Sequence, residues 1–197
     1  MQTVLITGAS SGIGLETAIL FSEKGWNVAA AIRNFEKSGN LAKYKNVNCF
    51  RMDVTDRTSI VECVGQVIKK YGKIDALINN AGIYETGPLE LTADEMIEGI
   101  VKTNINGVIF TAKAILPHFR QNKNGVIVNV SSIAGRVTFP FQSVYHSTKW
   151  AIEGFSESLR YELASLNIKI KLVEPGVVKT NLYVKTNEKD SEKYPEE

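Results

Sequence analysis

Cysteine and histidine are scarce in this 197-residue chain, two of each, and neither pair is spaced for shared chemistry. Cys49 falls in a strand-like segment and Cys63 in a helical one, without CxxC spacing or a neighbouring histidine cluster, so both read as buried small thiols. His118 follows Pro117 at a helix end and His146 lies far from it in sequence; they do not make a metal site, and no metal is expected. An excess of one charge is also lacking. The net charge is +2 and evenly mixed, which argues against nucleic acid or an anionic membrane as a partner. No apolar run approaches the ~20 residues that span a bilayer; Asn27 to Ile32 and Val126 to Val130 are of strand length. The opening MQTVLITGASSGIG runs straight into a strand and a glycine turn, without the charged, apolar and cleavage regions of an export signal in that order. A cytoplasmic location is the expectation.

What is present is alternation. Short β-branched runs read as buried strands at Thr3 to Thr7, Asn27 to Ile32, Val47 to Asp53, Ala76 to Asn79, Gly125 to Val130 and Lys169 to Glu174. Between them helical patterns fall at about Gly12 to Lys24, Glu36 to Lys43, Asp56 to Tyr71, Ala93 to Gln121 and Ser143 to Ser165. Asp56 is placed to cap the third helix, and Thr92 with Glu95 forms a capping-box pattern at the start of the fourth. Six strands alternating with helices predict an α/β fold: a doubly wound parallel sheet in three α/β/α layers. One domain is expected over residues 1–185. The tail 186–197, TNEKDSEKYPEE, is polar and without apolar periodicity, and reads equally as a frayed terminus or the start of a lid.

Two constellations carry chemistry. Tyr145 and Lys149 stand one helical turn apart in VYHSTKWAIEGF, which puts both side chains on one helix face. A phenol titrates near ~10, and a unit positive charge ~5 Å away at an effective dielectric of ~20 is worth about 3 kcal/mol, or roughly two pKa units. A tyrosine so tuned can pass a proton to or from a carbonyl or alcohol oxygen near neutral pH. Ser132, at the end of the apolar run GVIVNVSS, is a candidate to hydrogen-bond the same oxygen.

The other constellation is TGASSGIG, Thr7 to Gly14, between the first strand and the first helix. Gly8 permits a tight turn, Gly12 a close backbone approach to a pyrophosphate, and Gly14 close packing of helix on sheet. The helix N-terminus then offers free N–H groups to an anion. Its GxxxGxG spacing differs from the usual GxGxxG of dinucleotide sites. At the end of the second strand the sequence reads AAIRN: Ile32 offers no carboxylate to a ribose hydroxyl, whereas Arg33 offers a donor fork suited to a 2′-phosphate. This favours NADP(H), with NAD(H) as the alternative should Arg33 merely project into water.

With these residues in place, the chain resembles the short-chain dehydrogenase/reductase family in its compact single-domain form, a Rossmann fold with a built-in active site. Within the cofactor turn, the resemblance implies that Gly8, Ser10, Ser11, Gly12, Ile13 and Gly14 bind the dinucleotide. MDVTD places Asp53 and Val54 beside the adenine, and NNAG places Asn80, Ala81 and Gly82 along the cofactor. PGVVKT, Pro175 to Thr180, matches the loop that holds the nicotinamide carboxamide, through Pro175, Gly176, Val178 and Thr180. TNINGV, VNVSS and YHSTK supply the family's catalytic set as Asn104, Ser132, Tyr145 and Lys149, of which Tyr145 and Lys149 also touch the cofactor. The implied mechanism is hydride transfer at the substrate carbon with Tyr145 as proton donor or acceptor. Lys149 would hold the ribose and lower the tyrosine pKa, Ser132 would polarise the carbonyl, and Asn104 would anchor a water that links Lys149 to solvent.

The stretch SVYHSTKWAIEGFSESL further resembles the hydroxysteroid and retinol dehydrogenase-like branch. Tyr84 after NNAG, and Phe139 and Phe141 in RVTFPFQ, are candidates for the pocket wall, which points to a small apolar carbonyl or alcohol as substrate. Acyl-carrier thioesters stay open, although no arginine-rich docking patch stands out. Family members usually continue past the PG loop to a seventh strand, and this chain stops at Glu197, so either a shortened product or a natural variant is expected. The helices near Ala93 and Ser143, which pair subunits in many relatives, remain, and a homodimer is expected. Two other classes compete: a non-catalytic dinucleotide sensor, which would not need serine, tyrosine and lysine together, and an extended-type epimerase, which TGxxxGIG and NNAG disfavour.

Overall fold

The computed structural model describes residues 1–178, 180 and 182. Six parallel strands form one sheet in the order β3-β2-β1-β4-β5-β6. They are β1 (Thr3–Thr7), β2 (Asn27–Ile32), β3 (Val47–Arg51), β4 (Ala76–Asn79), β5 (Gly125–Val130) and β6 (Ile168–Val173). The chain winds outward from β1 to β3, then crosses back to β4 on the other side of β1. Ligands of such sheets bind at this switch, beyond the carboxyl ends of β1 and β4.

Helices cover both faces. Helices α2 (Arg57–Tyr71), α4 (Gly107–Asn122) and α5 (Ser143–Leu163) pack on one side, around Leu5, Leu77, Ile115, Phe119, Ile127 and Leu163. Helix α1 (Gly12–Glu23) and the segment Phe35–Lys43 pack on the other, around Val4, Ile6, Ala18, Val28, Ala30 and Leu41. Strands β1 and β4 are buried throughout, which is why they read as unbroken apolar runs. In β6, Ile168 and Ile170 point inward while Lys169 and Lys171 are exposed.

Several expected elements differ in detail. Asp56 does cap α2, accepting from the Thr58 amide at 2.9 Å. The capping box at Thr92 and Glu95 does not form. The Thr92 hydroxyl donates instead to the Pro88 carbonyl at 3.2 Å, closing the 3-10 turn Leu89–Leu91, and α3 (Asp94–Val101) starts after Ala93 without a side-chain cap. The expected helix over 36–43 is a 3-10 segment, Phe35–Lys43, broken at Gly39, where φ 40 and ψ −119 are incompatible with helix. The expected helix over 93–121 is two helices, α3 and α4, joined by a π turn at Lys102–Asn106. Strand β3 ends at Arg51, because Asp53 turns back to accept from the amide and hydroxyl of Thr55 at 2.9 and 2.8 Å. The polar tail at 186–197 lies outside the described residues.

Candidate active site

Helix α5 presents Tyr145, Lys149, Ile152 and Glu153 among its buried residues, so the i, i+4 spacing read from sequence becomes one inward face. The Lys149 Nζ lies 5.5 Å from the Tyr145 ring centroid and donates to the Val130 carbonyl at 3.0 Å, which pins the helix to the end of β5. Burial pushes the ammonium down to about 8, with the Glu153 carboxylate pulling it back up. Its desolvation makes that charge pH-dependent near neutrality. Tyr84 packs edge-on against Tyr145 with centroids 4.9 Å apart.

Ser132 begins the turn that follows β5. Its Oγ accepts from the Ala134 amide at 3.1 Å, and Ile133 N–H donates to the Pro175 carbonyl at 2.9 Å, so the serine turn and the loop after β6 are stitched together. Asn104 sits in the π turn and is buried. Its Oδ1 accepts from Ile83 N–H at 2.9 Å, while its Nδ2 donates to the Ile83 carbonyl at 2.9 Å and to Thr148 Oγ1 at 3.3 Å. The side chain therefore clamps the exit of β4 to α5. A relay water would have to take its bonds from the backbone of the widened turn rather than from this amide. A second polar chain runs through the layers: Asn79 Nδ2 donates to Asn129 Oδ1 at 2.9 Å, and Asn129 Nδ2 to Ser156 Oγ at 2.8 Å.

At the nucleotide end, Gly8 takes φ +65, and a Cβ there would stand 2.8 Å from the Ala81 Cα. A Cβ on Gly14 would collide with Asn80 Nδ2 and the Gly8 carbonyl. Asn80 Nδ2 donates to the carbonyls of Thr7 and Gly8 at 3.0 and 3.2 Å. Thr7, which the sequence reading left without a role, accepts through Oγ1 from the amides of Asn80 and Ala81, both at 3.0 Å. Its place at the head of the glycine turn was the available signal. Gly82 lies against Asn104, and Val54 is buried against Gly107. Ser11 caps α1 without a side-chain hydrogen bond, so the first-turn amides after Ser10 and Ser11, including that of Ile13, point to the carboxyl end of the sheet. Thr180 approaches to within 3.3 Å of where a Gly12 Cβ would be, bringing the loop of Pro175, Gly176 and Val178 over this cradle. Arg33 is exposed at the end of β2. A narrow cradle of backbone donors, a cation beyond β2 and a lysine beyond β5 fit a dinucleotide laid across the switch point.

The substrate side departs most from expectation. Phe139 and Phe141 line an open recess of about 520 Å³ with Pro140, His146, Ser147 and Trp150, and Tyr145 is not among its lining residues. The loop is nonetheless tied to the site. The Phe141 carbonyl accepts from Gly87 N–H at 2.8 Å and from Thr86 Oγ1 at 3.1 Å, next to Tyr84, and Phe141 itself adopts φ +61. His146 Nε2 accepts from Phe139 N–H at 2.9 Å, which leaves Nδ1 to donate to the Ala134 carbonyl at 2.8 Å. This imidazole thereby staples the loop to α5. Of the two thiols, Cys63 is buried and pushed up to about 12 by burial, while Cys49 is half-buried and raised for the same reason.

A family model described as short chain dehydrogenase matches residues 2–191. A 3-ketodihydrosphingosine reductase from Bacteroides thetaiotaomicron is 42% identical over 175 residues, covering 89% of this chain and 63% of that protein. The chain thus spans less than two thirds of that relative's length. Among solved structures, ElxO with NADP bound superposes with a TM-score of 0.88 at 37% identity, covering 98% of this chain and 79% of that one. A 3-ketoacyl-(acyl-carrier-protein) reductase from Brucella melitensis complexed with NADH gives 0.90 at 28% identity, over 98% and 83%.

Proposed function

The chain belongs to the short-chain dehydrogenase family, and we propose that it is an NADP(H)-dependent oxidoreductase acting on an apolar ketone or secondary alcohol. The observation that carries this reading is the buried face of α5, where Tyr145 and Lys149 lie at the end of β5 beside the Ser132 turn. Bound nicotinamide supplies or accepts the hydride. Tyr145 gives the proton to the substrate oxygen in reduction and takes it in oxidation. Ser132 Oγ donates to that oxygen as charge develops on it. Lys149 holds its positive charge near the phenol ring and offers its remaining donors to the ribose. Asn104 keeps the β4 exit and α5 in register, so that these groups keep their spacing.

Preference for NADP(H) rests on exposed Arg33 where an acidic residue would otherwise hold the ribose, with NAD(H) as the alternative cofactor. NADP bound in ElxO supports it, whereas NADH in the Brucella reductase is the counter-example within the same fold. An apolar substrate is supported by Tyr84 packed edge-on against Tyr145. A cytoplasmic homodimer completes the proposal. Its support is the outer face of α5, where Trp150 and Tyr161 are 51% and 73% exposed, three turns apart.

The deciding experiment is NADPH oxidation with a panel of hydrophobic ketones, run beside Tyr145→Phe. Turnover should fall at least about 100-fold in the variant, with NADPH binding retained by fluorescence. Binding without turnover in the unmodified chain would favour a sensor instead, and no binding at all would defeat both readings.

A further inference from the structure

Glu153 stands one turn beyond Lys149 on α5, with its side chain only 10% exposed. A carboxylate in such a place costs several kcal/mol unless charges or hydrogen bonds offset its lost hydration (on the order of the effective penalty for a buried ion). Among the described residues, neither of its oxygens has a hydrogen bond of good geometry. Arg136 Nη2 nevertheless lies 3.1 Å from Oε2, close enough for charge pairing although the angles miss a hydrogen bond. Packing leaves the carboxylate little room to turn away: a Cβ on Gly135 would lie 3.0 Å from Glu153 Cγ and 2.8 Å from the buried Ser131 Oγ.

Arg136 does more than meet Glu153. Its Nε and Nη2 both donate to Glu174 Oε1, at 3.1 and 2.8 Å. Glu174 immediately precedes Pro175, whose carbonyl already holds the serine turn through Ile133. One guanidinium therefore joins the end of the serine turn, the catalytic helix and the root of the loop that closes over the glycine cradle. An ordinary structural ion pair would explain two of these connections, but not why its carboxylate is buried one turn from Lys149.

We propose that Glu153 and Arg136 are positioning residues for the reaction: Glu153 supplies the counter-charge behind Lys149, and Arg136 fixes that carboxylate while anchoring the cofactor loop at Glu174. This rests on the oxidoreductase reading above. Elements packed against α5 bring other charges, namely Asp94, Glu95, Glu98 and Lys102 on α3 and the π turn, and Glu174 at the end of β6. Lys102 is exposed and paired with Glu98 at 2.9 Å, and Glu153 is the carboxylate whose charge bears on Lys149.

The test compares Glu153→Gln, which keeps the shape and removes the charge, with Arg136→Met. Three quantities are followed against pH: the midpoint of urea unfolding, NADPH affinity by fluorescence, and kcat. In Glu153→Gln the transition belonging to Lys149 should move to lower pH by about one unit, in both the unfolding and the kcat profiles. In Arg136→Met it should move to higher pH, because Glu153 loses its competing cation, and NADPH affinity should weaken several-fold as the loop anchor is lost. Opposite signs are what a merely structural pair would not produce. Unchanged or same-direction shifts in the two variants overturn the proposal; if Glu153→Gln does not fold, a downward or null shift in Arg136→Met does so alone. Unfolding profiles need no turnover, so shifts of the expected signs in a protein that fails to oxidise NADPH would reject the oxidoreductase reading and keep the charge coupling.

Discussion

Lys149 reaches back one turn of α5 to Tyr145, its Nζ 5.5 Å from the centre of the phenol ring, while the Val130 carbonyl holds that Nζ at 3.0 Å. The same placement that brings a cation to the phenol strips the cation of water, so the two effects trade against each other. Which one dominates depends on pH, because burial has moved the lysine to about 8.

Stability should record this directly. The folded-state value of about 8 lies below the ordinary 10.5, so at neutral pH the folded protein carries a partly dehydrated ammonium that the unfolded chain does not. The unfolded state binds more protons between these values, and stability therefore rises with pH across about 8 to 10.5. The rise from this group is up to roughly 3 kcal/mol. Lys149→Met should remove it, so that the urea midpoint of the unmodified protein minus that of the variant climbs with pH across that window, the other titrations being common to both.

Gly14→Ala should both destabilise and impair cofactor binding. Its Cβ would run into Asn80 Nδ2 and the Gly8 carbonyl, and the latter is backbone that cannot swing aside. A loss of about 1–3 kcal/mol is expected from such overpacking, together with a weaker NADPH dissociation constant. Equilibrium unfolding and fluorescence titration of the same sample check both.

Arg33→Ala should separate the two cofactors. If the guanidinium meets a 2′-phosphate, KM for NADPH should rise about 10-fold or more, the worth of one charge-assisted hydrogen bond, with KM for NADH little changed. Equal effects on both would remove Arg33 from the cofactor site.

Phe141 tests the aromatic loop. Its φ of +61 is left-handed, costing roughly 1–2 kcal/mol in a residue with a Cβ. Phe141→Val should therefore destabilise more than Phe141→Gly, since a β-branched residue tolerates that conformation least. Both should raise KM for a hydrophobic ketone if the loop borders the substrate. Thermal unfolding and steady-state kinetics on the pair decide the two points independently.

Much of the frame was legible because it depends on short-range pattern. Apolar runs such as TVLIT and NVAAAI announced buried strands, and Asp56 announced its helix. Tyr145, Lys149 and the glycine turn could be named from spacing alone. Three elements were misread. Thr92 abandons its capping pattern for Pro88, the helix after Ala93 is interrupted where Asn104 reaches Ile83, and Gly39 breaks the segment after β2. In the first two, a bond made in the folded structure outweighs the few tenths to about 1 kcal/mol that local propensity offers. The contacts of Arg136, His146 and Glu153 were not legible for a related reason: each acquires its role from a partner brought near by folding, and no motif records that pairing.

Alternation of strands and helices, the glycine turn and the one-turn spacing of Tyr145 and Lys149 were determined by the sequence itself, through steric and periodic rules that act over a few residues. Only the tertiary structure decided how charged Lys149 is, that the amide of Asn104 is already engaged, and that Phe139 and Phe141 line a recess apart from Tyr145. Desolvation and hydrogen-bond saturation depend on every atom that packs around a group, and those atoms come from segments distant along the chain.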